Sequence, residues 1–318
     1  MAKLDHLQTA AWLLEHDAFL ILTHVRPDGD TVGCAAALCR ALRLQGKRAF
    51  VLPDPGLSDL FTDYLDGLYP PAGYTPDTVV AMDMAARSMF HDGAKPYLDR
   101  VDLTIDHHPS QEFYAAHTCL DTSCAACGEL VYDIVRQWGE VTPEVALPLY
   151  LAVSTDTGCF VYSNTSARTH RVAAALIETG IDFYAVNRLH FRTKSFKRLK
   201  LESMLTAGLQ LFDQGATAIV TLTLAMMEQL NATEEDVDNI SAFVGQIQGV
   251  RTGITIRQLT LGQCKLSVRT EPGELNASRI CGLLGGGGHA AAAGATVDST
   301  PEQAQKQILS ALREVRGF

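Results

Sequence analysis

The chain has 318 residues, 47% of them apolar and 19% charged, with a net charge of −10. That length is long for one core and comfortable for two domains. The acidic balance argues against a broad basic surface that grips long nucleic acid, so phosphate chemistry here needs local positive charge or metal ions, and no run approaches the roughly 18 uncharged apolar residues of a membrane span.

The opening MAKLDHLQTAAWLLEHD mixes acids and histidines into a helical apolar pattern. It reads as an amphipathic helix and not as a signal peptide, which implies a cytoplasmic protein. AFLILTH (18–24) is a continuous apolar run ending in a histidine, as suits a parallel strand covered on both faces. After VRPDGD comes a small-residue helix ending near Gly46, then a strand at 48–53. TVVAMD (78–83) and VDLTIDHH (101–108) are two more strands, each ending in acids or histidines. Helical patterns follow at 124–138, 143–155 and 167–180. Strands alternating with helices predict a doubly wound, mainly parallel α/β domain, whose ligands bind beyond the carboxyl ends of the strands.

Residues 183–210 carry a local basic excess on a helical pattern and read as a connecting helix. Strand-like segments then appear at 216–224, 251–260 and 264–270, with helices expected near 233–245, 276–284 and 301–316. This predicts a second, smaller α/β domain and an active-site cleft between the two. The expected division is 1–185, a connecting helix at 186–210, and 211–318. The eight cysteines include a Cys119, Cys124, Cys127 spacing seen in some iron–sulfur proteins, but they sit where small buried residues belong in an amphipathic pattern.

Four segments deliver carboxylates and imidazoles: His24, Asp28 and Asp30 in THVRPDGDTVG, then Asp83, then Asp106-His107-His108, then Asp156 in STDTG. Each alone reads as a turn, a cap or a surface group. Together, mostly at one edge of one predicted sheet, they suit a metal site. Carboxylates with some imidazole favour Mn²⁺, and so many negative charges repel one another without cations. The count suits two ions sharing one aspartate, a device for phosphoryl hydrolysis.

The four segments resemble the signature motifs of the DHH phosphoesterase superfamily, in order and at plausible spacing. GGGGHAAAAG (285–294) resembles the glycine-rich histidine motif of its C-terminal DHH-associated domain. The resemblance covers nearly the whole chain. It implies that His24 and Asp28 bind one ion, that Asp30, His107 and Asp156 bind the other, and that Asp83 bridges them. Two Mn²⁺ are expected, with Mg²⁺ or Co²⁺ as substitutes, activating a water for in-line attack. His108 is expected to act on the scissile phosphate, with Asp106 orienting a histidine. Arg269, Gly286, Gly287, Gly288 and His289 are expected to hold a substrate phosphate, with Arg168 a further candidate.

Within the superfamily, the two-domain length is similar to the nano-RNase and 3′-phosphoadenosine 5′-phosphate phosphatase group. The implied substrates are short RNA and nucleotides, with no long duplex and no membrane partner; a homodimer is allowed. A cyclic di-AMP or linear dinucleotide phosphodiesterase is the alternative enzyme. A nucleotide-binding regulator without catalysis is the alternative of another class.

Overall fold

The computed structural model describes residues 2–237, 240–271 and 273–317. The chain divides into two compact units, Met1–Thr193 and Lys194–Phe318.

The first unit runs β1 (Ala2–Leu4), α1 (His6–Glu15), β2 (Phe19–Leu22), α2 (Gly29–Leu44), β3 (Ala49–Val51), α3 (Thr62–Leu65), β4 (Thr78–Met82), β5 (Leu103–Asp106), β6 (His117–Leu120), α4 (Cys127–Val135), α5 (Pro143–Asp156), α6 (Ala167–Glu178) and α7 (Phe183–Asn187). Its six strands form one sheet in the order β1-β6-β5-β4-β2-β3, with every pairing parallel. β2, β4 and β5 are buried along their whole length; β2 and β4 accordingly read as near-continuous apolar runs, while β5 interleaves buried Thr104 and Asp106 with Leu103 and Ile105. One face of the sheet packs on α1, α2, α4 and α5 through Phe19, Ile21, Val80, Met82 and Ile105. The other face is covered by irregular chain with short 3₁₀ turns, through Phe90, Ala94 and Val101.

The order reverses between β2 and β4. β3 lies on one side of β2 and β4 on the other, so the chain leaves a switch point at the carboxyl ends of those two strands. α2 and α5 meet there at unusually close range. A Cβ on Gly29 would lie 2.4 Å from Thr155 Oγ1, and one on Gly33 would lie 2.3 Å from the Pro148 carbonyl. Pro148 lacks an N–H, which removes the helical donor to the Glu144 carbonyl; Arg40 Nη1 donates to that oxygen at 2.9 Å instead.

The expected connecting helix at 186–210 is broken. A π-helical segment, Arg188–Arg192, follows α7, and α8 (Phe196–Ala207) starts afresh with Ser195 as its cap, accepting from Arg198 N. The second unit continues with β7 (Gln210–Phe212), β8 (Thr217–Leu222), α9 (Leu224–Leu230), β9 (Thr252–Thr260), β10 (Gln263–Thr270), α10 (Ala277–Gly282), β11 (Gly287–Gly288), β12 (Ala292–Val297) and α11 (Pro301–Arg316). Its mixed sheet has the order β11-β12-β10-β9-β8-β7, with only β8 and β9 parallel. The helix expected near 233–245 is replaced by 3₁₀ turns at Glu235–Val237 and Ile240–Gln246; residues 238 and 239 lie outside the described residues. Among the described residues, no helix is long and apolar enough to cross a membrane.

Candidate active site

The acids and imidazoles of the cluster come from the ends of five elements of the first unit. His24 follows β2, Asp28 caps α2 and Asp30 lies in its first turn. Asp83 follows β4, Asp106 ends β5 with His107 and His108 after it, and Asp156 ends α5. The fold brings their donor atoms together in three overlapping triads: His24, Asp28 and Asp83; Asp30, His107 and Asp156; and Asp83, His107 and His108. Within each triad the donor atoms lie within 4.8 Å of one another. His107 Nε2 is 3.5 Å from Asp83 Oδ1, 3.5 Å from Asp156 Oδ2 and 3.8 Å from Asp30 Oδ2. His24 Nε2 is 3.5 Å from Asp28 Oδ1.

Backbone contacts fix which ring nitrogen faces the cluster. A carbonyl only accepts, so His24 Nδ1 carries the proton it gives to the Val25 carbonyl at 3.0 Å, and His107 Nδ1 does the same to Cys124 at 3.2 Å. Both rings thereby turn the Nε2 lone pair inward, as a metal ligand requires. Asp83 is held at φ +55°, an uncommon left-handed conformation for a non-glycine residue. Its Oδ1 and His107 Nε2 are buried without a hydrogen-bond partner.

The electrostatics agree with the geometry. Burial, then the charges of Asp156 and Asp28, lifts Asp30 well above the usual carboxylate range. Burial, then Asp30 and Asp28, does the same to Asp83, and burial raises Asp156 to about 6. Burial alone would lower His24, but the hydrogen bond and charge of Asp28 outweigh it and lift the ring to about 9. Carboxylates this reluctant to ionise together, beside orphaned buried donor atoms, fit divalent cations at their centre.

Three supports were not legible in the sequence. The amino end of α4 points at Asp30: Cys127 N donates to Oδ2 at 2.7 Å and Gly128 N to Oδ1 at 3.0 Å. Cys34 Sγ adds a third bond to Oδ1 at 3.2 Å. Cys127 and Gly128 lie 97 and 98 residues from Asp30, so no local pattern marks them, whereas Cys34 is one turn along α2. Asp106 is fully buried and organises the loop after β5. Its Oδ1 accepts from His107 N, from His108 N and, at 2.8 Å, from His108 Nδ1. Its Oδ2 accepts from Gln111 Nε2 at 2.6 Å. Burial opposes ionisation there, but the His108 bonds prevail and keep Asp106 below its ordinary value.

Arg168 does not join the site. Its guanidinium is engaged by Asp121 at 2.9 Å, Asp133 at 2.5 Å and Glu129 at 3.5 Å, so it ties α6 to α4 and the preceding loop. Those three acids, rather than any group of the metal cluster, are the partners of this half-buried guanidinium. Cys119, Cys124 and Cys127 are all free and buried.

In the second unit, Arg269 pairs in register with Ala292, and His289 N donates to the Ala292 carbonyl at 2.8 Å. Arg269 and His289 therefore share one end of the mixed sheet, with His289 exposed at the turn between β11 and β12. Two of the three glycines have a packing reason of their own. A Cβ on Gly286 would lie 2.1 Å from the Gly294 carbonyl, and one on Gly288 (φ +140°) would lie 2.7 Å from that of Ala292. Gly287 has open space above it.

The chain is 33% identical over 304 residues to the bifunctional oligoribonuclease and PAP phosphatase NrnA of Thermus thermophilus, covering 92% of this chain and 89% of that protein. It is 26% identical over 296 residues to the protein of the same name from Bacillus subtilis, covering 90% and 91%. An exopolyphosphatase-related protein from Bacteroides fragilis shares the fold, with a TM-score of 0.84 at 24% identity over 97% of this chain and 96% of that one. The DHH family N-terminal domain matches residues 18–153 and the DHHA1 domain residues 216–316, and the chain belongs to this DHH family.

Proposed function

We propose that this chain is a metal-dependent phosphoesterase of the cytoplasm that hydrolyses RNA of two to a few nucleotides and removes the 3′-phosphate of 3′-phosphoadenosine 5′-phosphate. The observation that carries the reading is the pair of triads His24, Asp28, Asp83 and Asp30, His107, Asp156, in which the buried acids Asp30 and Asp83 stand beside imidazoles and further carboxylates, a set that fits cations. The likeness to NrnA proteins along nearly the full chain supports the substrate class.

In this reading His24, Asp28 and Asp83 would hold one ion and Asp30, His107 and Asp156 another, with Asp83 Oδ1 also 3.5 Å from His107 Nε2. Two divalent ions, Mn²⁺ first and Mg²⁺ or Co²⁺ as substitutes, supply the charge that lowers the pKa of an attacking water and neutralises the phosphoryl oxygens. The chain's own residues do the rest. His24 and His107 hold Nε2 turned inward through the bonds their Nδ1 atoms give to carbonyl oxygens. The α4 amides and Cys34 hold Asp30 in one orientation. Asp106 accepts a hydrogen bond from His108 Nδ1 and so fixes the orientation of that ring. His108 acts on the negative charge that develops on the phosphoryl group or its departing oxygen. Arg269 and His289, with open backbone at Gly287, hold a further substrate phosphate.

The test is to strip the protein with a chelator, restore Mn²⁺, and assay a diribonucleotide and 3′-phosphoadenosine 5′-phosphate. Turnover of both only with metal supports the reading. Failure on both substrates with metal restored overturns it.

A further inference from the structure

A rigid aromatic tip stands directly beside Asp156. α5 ends at Asp156, and Gly158, Cys159 and Phe160 follow with φ of +55°, +56° and +67°. Three successive left-handed residues, two of them not glycine, are costly, and a fold keeps such strain where surrounding contacts over-determine it. Here the contacts are explicit. Cys159 N donates to the Ser154 carbonyl at 2.7 Å, and Val161 N and Tyr162 N both donate to that of Thr157 at 3.0 Å. Asn164 Nδ2 donates to the Asp156 carbonyl at 3.1 Å and to that of Ala125 at 3.0 Å. Phe160 anchors the turn inward, stacked on His170 and tilted against Tyr150.

The anchored turn presents its next two side chains to solvent. Val161 is 80% exposed and Tyr162 47% exposed. Tyr162 does not swing freely, because its ring lies against Gly158; a Cβ there would sit 2.5 Å from the ring carbons. Gly158 is two residues from Asp156, so their Cα atoms are within about 7 Å. Tyr162 thus offers an exposed aromatic face, packed on a residue whose Cα is within about 7 Å of that of Asp156, to the base of a nucleotide whose phosphate is held at the cluster.

We propose that Tyr162 is a specificity-determining residue that stacks on a nucleobase of the substrate, without reading its identity. This rests on the phosphoesterase reading above and deepens it. Stacking on an aromatic face is tolerant of sequence, because every base offers a π-face. It also sets nucleotides apart from phosphates that carry no base.

The Mn²⁺-loaded protein and its Tyr162→Ala, Tyr162→Leu and Tyr162→Phe variants are assayed on 5′-phosphorylated diadenylate and on the matching dinucleotide with hydrogen in place of each base. Binding of adenosine monophosphate is measured by calorimetry alongside. Loss of the ring raises KM for diadenylate roughly five- to a hundredfold, in line with the worth of one stacked base. It weakens the monophosphate to match and leaves kcat, metal content and the base-free substrate unchanged; Tyr162→Phe behaves as the parent. Leu keeps the packing on Gly158, so Tyr162→Leu reports on stacking even where Tyr162→Ala disturbs the turn. Equal losses on both substrates, or no loss on diadenylate, overturn the proposal. A parent protein that does not hydrolyse diadenylate overturns the phosphoesterase reading instead, and the calorimetric comparison then decides the role of Tyr162 by itself.

Discussion

Asp83 belongs to two of the three donor triads and in the proposed reading serves both ions. Its strained φ of +55° and its unpartnered Oδ1, 3.5 Å from His107 Nε2, leave it no structural role that a neutral side chain would perform as well. Asp83→Ala is expected to take bound Mn²⁺ from about two ions per chain to nearly none, read by elemental analysis after gel filtration. Retention of both ions would contradict a shared ligand. Asp106 makes the complementary case. It lies one position from His107 yet spends its oxygens on His108, two backbone amides and Gln111. Asp106→Asn is expected to leave the metal count unchanged while kcat falls about 10²- to 10³-fold, the scale for losing one stabiliser of transition-state charge. Loss of metal in that variant would make Asp106 a ligand.

The α2–α5 contact positions Asp30 and Asp156, which lie on different helices 126 residues apart in sequence. Gly33→Ala forces a Cβ against the Pro148 carbonyl and Ala152. The expected cost is about 1–3 kcal/mol or more, with weakened Mn²⁺ binding, seen together in thermal unfolding and metal titration. The π-helical segment carries a different signature. His190 stacks on Phe61 with centroids 5.4 Å apart and meets the Tyr64 hydroxyl at 3.2 Å, and burial pushes its imidazole from 6.5 down to about 4. Between those values the unfolded chain binds a proton that the folded chain refuses. The contribution of neutral His190 is therefore whole above pH 6.5 and is lost as pH falls towards about 4. His190→Phe keeps the stack and removes the titration, so its melting temperature should fall less steeply between pH 7 and pH 4; an unchanged slope would contradict the assignment. Elements differ in how far the sequence announced them. β2 and β4 are nearly unbroken apolar runs that lead into the site's own residues, and β5 runs straight into Asp106, His107 and His108, so strand and site are legible together. β1 and β6 are three and four residues long without an apolar run, and were missed. The glycine-rich stretch at 285–294 looks like low complexity, yet its alanines alternate: Ala293 and Ala295 are buried with Val297 in β12, where small side chains let β11 approach. The π-segment and the α4 amides on Asp30 depend on partners far away in sequence, which no periodicity encodes.

At the scale of the whole molecule, a net charge of −10 sets the substrate range as firmly as the site does. Long strands are held by many phosphate contacts, each needing a cation on the protein. In the proposed reading, positive charge comes from metal ions and Arg269, enough for one or two phosphates. Rates should therefore be set by the ends of very short chains. The most direct measurement is kcat/KM for the Mn²⁺-loaded protein on 5′-labelled RNAs of about 2, 3, 5, 10 and 24 nucleotides at one salt concentration. The account requires the highest value at the dinucleotide end and a steady fall with length. A 24-mer cleaved faster than the dinucleotide would contradict it.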